Sequence, residues 1–115
     1  MMLDKLGMQG EQIGAGSGAL LGARGPLLPS ISPIDLRPLA AVRSATAEDY
    51  EQIVQRAVTA FRFWRTVPAP RRGEVVRQIG DALRRNKKEL AEIICLEVGK
   101  IRAAAAGEVQ EMIDM

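Results

Sequence analysis

From Thr46 to Met115 apolar side chains recur at three- and four-residue spacing, interrupted by proline only at Pro68 and Pro70, and this commits most of the chain to amphipathic helices. The Thr46 hydroxyl can cap the free N–H groups of a first turn, and Glu48, Asp49 and Glu51 lie near its positive end. A helix is therefore predicted over about Ala47 to Arg65, with Tyr50, Ile53, Val54, Ala57, Val58, Phe61 and Trp64 as its apolar stripe. Phe61 and Trp64 are expected to pack as core against the next helix. That helix follows Pro70 and should turn Val75, Val76, Ile79, Ala82 and Leu83 inward. A third runs from about Lys87 through Leu90, Ile93, Ile94 and Leu96 to a glycine stop at Gly99. Ala103 to Ala106 have the highest helix propensity of any residue, and Val109, Met112 and Ile113 carry the stripe on to Met115. No capping glycine, terminal basic residue or proline closes this last helix, so the pattern is expected to continue in a longer protein.

The first 43 residues read differently. Seven of the eleven glycines fall at Gly7, Gly10, Gly14, Gly16, Gly18, Gly22 and Gly25, where neither helical nor alternating apolar order survives. Residues 1–24 are thus expected to form a flexible, glycine-rich leader. Gly14 to Gly18 superficially resembles a phosphate-cradling loop, but that chemistry needs a strand before it and a helix opening after it, and the sequence signals neither. Between Gly25 and Arg43, Pro26, Pro29, Pro33 and Pro38 alternate with short apolar pairs, which suits two extended strands joined around Ile34 to Arg37. Leu36 is awkward there, because a tight hairpin turn wants glycine or asparagine where φ is positive.

At 115 residues the chain can build one modest core, too little for a self-sufficient enzyme with cofactor and substrate domains. It has no histidine, which removes Ser-His-Asp and Cys-His catalysis, histidine-held metals and imidazole pH switching. The single cysteine, Cys95, sits between Ile94 and Leu96 with no neighbouring cationic cluster in sequence, and reads as a packed, inert thiol in a reduced, cytoplasmic protein. No apolar run approaches the ~18 residues of a membrane span, and the first twelve residues lack the basic and apolar blocks of a secretory signal. Residues 62–88 carry nine basic groups against Glu74 and Asp81, and residues 89–115 six acidic groups against Lys100 and Arg102. With no aromatic residue interleaved for stacking, the basic block reads as a solvated face and not as a nucleic-acid surface. Glu108, Glu111 and Asp114 lie three apart, so they share a helix face that is either solvated or directed into a site completed by other segments.

Several stretches together resemble the N-terminal segment of the aldehyde dehydrogenase family. They are Ser30 to Asp35, Ser44 to Tyr50, Phe61 to Arg65, Pro68 to Glu74, Leu96 to Lys100 and Gly107 to Glu111, in family order from about Gly25 to Met115. The nearest resemblance is to the antiquitin-like branch, the α-aminoadipic semialdehyde dehydrogenases. The resemblance implies an α-dominated fragment, a short β-hairpin followed by three to four amphipathic helices, of the α/β aldehyde dehydrogenase fold. Residues 25–115 would then be the N-terminal part of the NAD-binding and substrate-entrance region. It implies a homo-oligomeric, NAD-dependent enzyme that oxidises a small aldehyde to an acid, leaving open which aldehyde and whether NAD or NADP. The nucleophilic cysteine, the base and the cofactor loop of the family have no counterpart here, so no catalytic, cofactor-binding or metal-binding residue is carried over and the chain alone is expected to be inert. Glu111 matches the glutamate that meets the amino end of the substrate in the aminoadipate branch, and is the one substrate-binding residue implied. Leu36 stands where the family usually places the glycine of the hairpin turn. The competing reading is a small helical interaction or oligomerisation module without catalysis, motivated by apolar surface left uncovered.

Overall fold

The computed structural model describes residues 5–8, 10–18 and 23–115. Three strands, β1 (Glu11–Ile13), β2 (Leu27–Ile31) and β3 (Pro38–Arg43), precede four helices, α1 (Ala47–Trp64), α2 (Ala69–Arg85), α3 (Lys87–Val98) and α4 (Arg102–Asp114). The order in the sheet is β1-β3-β2, with β2 antiparallel and β1 parallel to the central β3.

The expected hairpin is β2 and β3. Leu27 faces Arg43 and Pro29 faces Ala41, with an irregularity between Ser30 and Ile31 before Ile31 meets Pro38. Its connection is longer than a two-residue turn: the Leu36 N–H donates to the Ser32 carbonyl and the Ser32 N–H to the Arg37 carbonyl, enclosing Pro33 to Leu36. Leu36 closes this loop at φ 58°, the only non-glycine residue with positive φ among the described residues.

The leader expectation is corrected at Glu11–Ile13, which pairs with Ala41 to Arg43 as β1. Residues 1–4, 9 and 19–22 of that leader, Gly22 included, lie outside the described residues. Two features recruit so short a strand. Arg43 grips the Glu11 carboxylate with Nε and Nη2, and the Arg43 hydrogen bonds hold that carboxyl below its usual range. Gly14 then lets the chain close on β3: its N–H donates to the Arg43 carbonyl at 2.9 Å, and a Cβ there would stand 2.6 Å from that oxygen.

α1 begins with a capping box. The Asp49 N–H donates to Thr46 Oγ1 at 3.1 Å, and the Thr46 N–H returns to Asp49 Oδ2 at 2.9 Å. Arg24 adds its N–H to Oδ2 and its Nε to Oδ1, so the 4% exposed Asp49 side chain accepts from the cap and from the chain ahead of β2. Backbone donors from Thr46 and Arg24, with the Arg24 guanidinium, hold its carboxyl well below the usual carboxylate range. α2 starts with proline in its first turn, where a missing N–H costs nothing. α3 stops at Gly99, in the left-handed conformation at φ 76°; a Cβ there would come within 3.1 Å of the Pro33 ring.

The core is a seam between α3 and α4. Ala91 and Cys95, one turn apart, face Ala105, Val109 and Ile113, with Leu83, Leu90, Ile94 and Ala106 packed around them. Alanines at the contact let the helices approach closely. The other side of α3 meets the sheet, where Ile93 and Leu96 enclose a cavity of about 70 Å³ with Leu39, Ala40 and Val42, and Ser30 Oγ donates to Glu97 at 3.0 Å.

The first two helices contradict the packing expected of them. Phe61 is 57% exposed and Trp64 39%, so neither is core, and Val75, Val76 and Ile79 face outward as well. Of the apolar residues expected inward on α2, Leu83 joins the core surroundings. Met112, expected in the α4 stripe, also lies exposed.

Candidate functional site

α4 sorts its residues by face. Ala105, Val109 and Ile113, four apart, fill the seam, and Glu111, two residues past Val109, points away from it and is exposed. The three carboxylates singled out on this helix differ in their partners. Glu108 pairs with the Lys100 ammonium, and Asp114 accepts from Gln110 Nε2 at 2.8 Å. The Glu111 carboxylate has no hydrogen-bond or ion-pair partner among the described residues. Gln110 itself is fixed by Lys87, whose Nζ donates to its Oε1 at 2.6 Å, tying the start of α3 to the last turns of α4. The helix bearing Glu111 is therefore anchored while its carboxylate is left available to a cation. Resemblance had pointed to this residue; spacing had not separated it from its two neighbours.

Cys95 is buried in the seam at the edge of a groove of about 560 Å³ lined by Ile34, Glu92, Leu96, Lys100, Ile101 and Arg102. Sequence reading saw no cations near this thiol, and the fold brings two. Each is occupied: Lys100 pairs with Glu108, and Arg102 reaches Glu92 at 3.5 Å. A second groove, of about 510 Å³, lies where α2 passes into α3, with Arg84, Arg85, Lys87, Lys88 and Arg102 above Ala91 and Ala106. Arg84 turns to Asp81 and Arg102 to Glu92.

Gly14 to Gly18 does follow a strand, β1, which sequence reading did not foresee, but no helix opens after it among the described residues. Gly14 serves the close approach to β3 described above. A dinucleotide cradle needs N–H groups of a helix start aimed at the phosphates, and residues 19–22, which follow this stretch, lie outside the described residues. Among the described residues no group of three or more His, Cys, Asp or Glu side chains could hold a metal ion. No described helix is long and apolar enough to cross a membrane.

The described residues thus present a short mixed sheet beside helices, a buried cysteine and, on the last helix, a carboxylate without a partner. The family model of the aldehyde dehydrogenase family matches residues 22–115, and the chain belongs to that family of oxidoreductases. Among individual relatives it is 45% identical over 113 residues to aldehyde dehydrogenase family 7 member A1 of Pisum sativum and to α-aminoadipic semialdehyde dehydrogenase of Bos taurus. Those matches cover 98% of this chain, taking in most of the glycine-rich stretch that the resemblance read from the residues had left out. The chain spans only 22% and 21% of those two proteins. A solved 3,6-anhydro-L-galactose dehydrogenase in complex with NAP superposes with a TM-score of 0.82 at 36% identity, over 87% of this chain and 21% of that one.

Proposed function

We propose that this chain is the N-terminal part of an NAD-dependent aldehyde dehydrogenase that oxidises a semialdehyde, α-aminoadipic semialdehyde in lysine breakdown, to its acid. The observation that carries the reading is the 45% identity to the bovine α-aminoadipic semialdehyde dehydrogenase along nearly the whole chain. Glu111 supports the choice of substrate. A carboxylate free of internal partners on an anchored helix can pair with the ammonium group at the far end of an amino semialdehyde, holding it by a charge-assisted hydrogen bond while the aldehyde end is oriented elsewhere. The chain contributes this recognition and a scaffold for the entrance, and no reacting group. Aldehyde oxidation needs a nucleophile, a base and a nicotinamide cofactor held together, and the four fifths of the relatives that this chain does not span would supply them. A homo-oligomeric assembly and a reducing, cytoplasmic location complete the reading, the latter resting on one buried thiol.

The test uses the enzyme encoded with this segment in place. Nicotinamide reduction is followed with α-aminoadipic semialdehyde and with hexanal, in the wild type and in Glu111→Gln. The expected result is a KM for the amino substrate raised about tenfold in the variant, with kcat and the hexanal reaction unchanged, as loss of a uniform binding contact requires. Equal effects on both aldehydes would remove Glu111 from substrate recognition, and no turnover of either aldehyde by the wild type would sink the activity itself. The 115-residue chain alone should neither bind NAD in calorimetry nor turn over aldehyde.

A further inference from the structure

The groove where α2 passes into α3 gathers charge that the fold does not neutralise. Arg84, Arg85, Lys87 and Lys88 line it from one short stretch of chain, and Ala91 and Ala106 form its apolar floor. Further up α2 the cations are paired as a solvated helix face requires: Arg77 meets Glu74 at 2.7 Å and Asp81 at 2.5 Å, and Arg84 turns to Asp81 at 3.1 Å. Past Arg84 the pairing stops. Arg85 and Lys88 have no hydrogen-bond or ion-pair partner among the described residues, and Lys87 donates to the Gln110 side-chain carbonyl, a neutral group that leaves its charge standing. Glu92, one turn beyond Lys88 and placed to pair with it, reaches Arg102 at 3.5 Å instead.

Two of these cations are also set against their own helix. Lys87 and Lys88 open α3 at the positive end of its dipole, where no side chain caps the turn and only Glu89 is acidic. Solvation alone does not favour that placement, and a chain carries such a local conflict where a further demand selects it.

We propose that this groove binds a small molecule with a diphosphate head, a nucleoside diphosphate. Three uncompensated cations in one stretch suit a head of several negative charges, the Arg85 guanidinium gripping two oxygens at once and the two ammonium groups acting as point charges. The groove holds about 510 Å³, within the ~300–1,000 Å³ of small-molecule sites and more than a bare diphosphate fills. Its floor of alanine methyl groups offers a flat apolar seat for a base, and the loosely held Arg102 and Glu92 offer a donor and an acceptor to the base edge. With no aromatic residue in its lining, the groove lacks the stacking platform that a nucleic-acid strand would use.

The test uses the enzyme encoded with this segment in place, in saturating NAD so that a dinucleotide site elsewhere is filled. ADP, AMP and pyrophosphate are titrated by calorimetry into the wild type, into Arg85→Ala/Lys88→Ala, and into Arg56→Ala/Arg62→Ala, which removes the same charge from α1. Arg85 and Lys88 are exposed and unpaired, so their double variant should keep the thermal midpoint of the wild type. The expected result is one ADP per chain, bound at least tenfold more weakly by the groove variant and equally well by the α1 variant, with affinity falling as salt is added. AMP and pyrophosphate should each bind more weakly than ADP, the first for want of charge and the second for want of a body. Absence of ADP binding in saturating NAD, or equal binding by the groove variant, overturns the proposal. Pyrophosphate binding as tightly as ADP overturns the nucleoside and makes the free anion the ligand, and tighter binding of duplex DNA than of ADP, lost in the groove variant, overturns the small-molecule site altogether. None of these outcomes depends on which aldehyde is oxidised, since the readout is binding and not turnover.

Discussion

Replacing Leu36 by glycine should stabilise the chain, although it deletes a large apolar side chain. Leu36 is 77% exposed, so its removal returns little buried area to water. Its φ of 58° places Cβ against the following carbonyl, a strain of about 1–2 kcal/mol that glycine does not carry. Glycine in turn frees the unfolded chain, which costs roughly 0.4–1 kcal/mol. The balance is a gain of about 0.5–1 kcal/mol, or a rise of several degrees, roughly 2–8 °C, in the midpoint of thermal unfolding for a chain this short. The hairpin should report through the helices, because Pro33 lies against Gly99 and Ser30 is bonded to Glu97. Far-ultraviolet circular dichroism during thermal and urea unfolding is the assay, with Leu36→Ala and Leu36→Asn alongside. Alanine keeps Cβ and should leave the midpoint near that of the wild type, while asparagine, which tolerates the left-handed region, should recover part of the gain. If alanine stabilises as much as glycine, the benefit comes from removing an exposed leucine and the backbone argument is wrong.

Val109, fully buried in the seam, should cost about 2 kcal/mol when truncated to alanine, combining two lost methyl groups with an unfilled gap, and urea unfolding measures it. Asp49 titrates lower folded than unfolded, so its contribution is present above its ordinary 3.8 and disappears as pH falls through that value toward the depressed one. Stability of the wild type should therefore drop steeply on acidification below about pH 4, and Asp49→Asn should be weaker at neutral pH with a flatter acid limb; parallel limbs would show that other carboxylates control the transition. The Cys95 thiol should react with a thiol reagent orders of magnitude more slowly in the folded chain than in guanidinium chloride, and equal rates would contradict its burial.

The helices were legible because their apolar spacing and their punctuation agreed: Thr46 opens α1 and Gly99 ends α3 where the sequence placed them, and α2 begins at Ala69, taking into its first turn the Pro70 it was expected to follow. The positive φ of Leu36 was legible too, since a turn at that point demanded it. β1 was not, because three residues among glycines carry no period; the signal lay in Arg43 meeting Glu11 across 32 positions. Periodicity also misjudged Phe61, Trp64, Val76 and Ile79. It reports that one face of a helix is apolar and says nothing of whether the covering surface belongs to the same stretch of chain. Glu111 came from resemblance, and its distinction from Glu108 and Asp114 required seeing where Lys100 and Gln110 point.

The close contact of α3 and α4 through alanines has a dynamic counterpart. Amide protons around Ala91, Cys95, Ala105 and Val109 can exchange with solvent only when that whole seam opens, whereas those of α1 can exchange by fraying, one turn at a time, from Trp64 inward. The chain should thus divide into a slow and a fast half under deuterium.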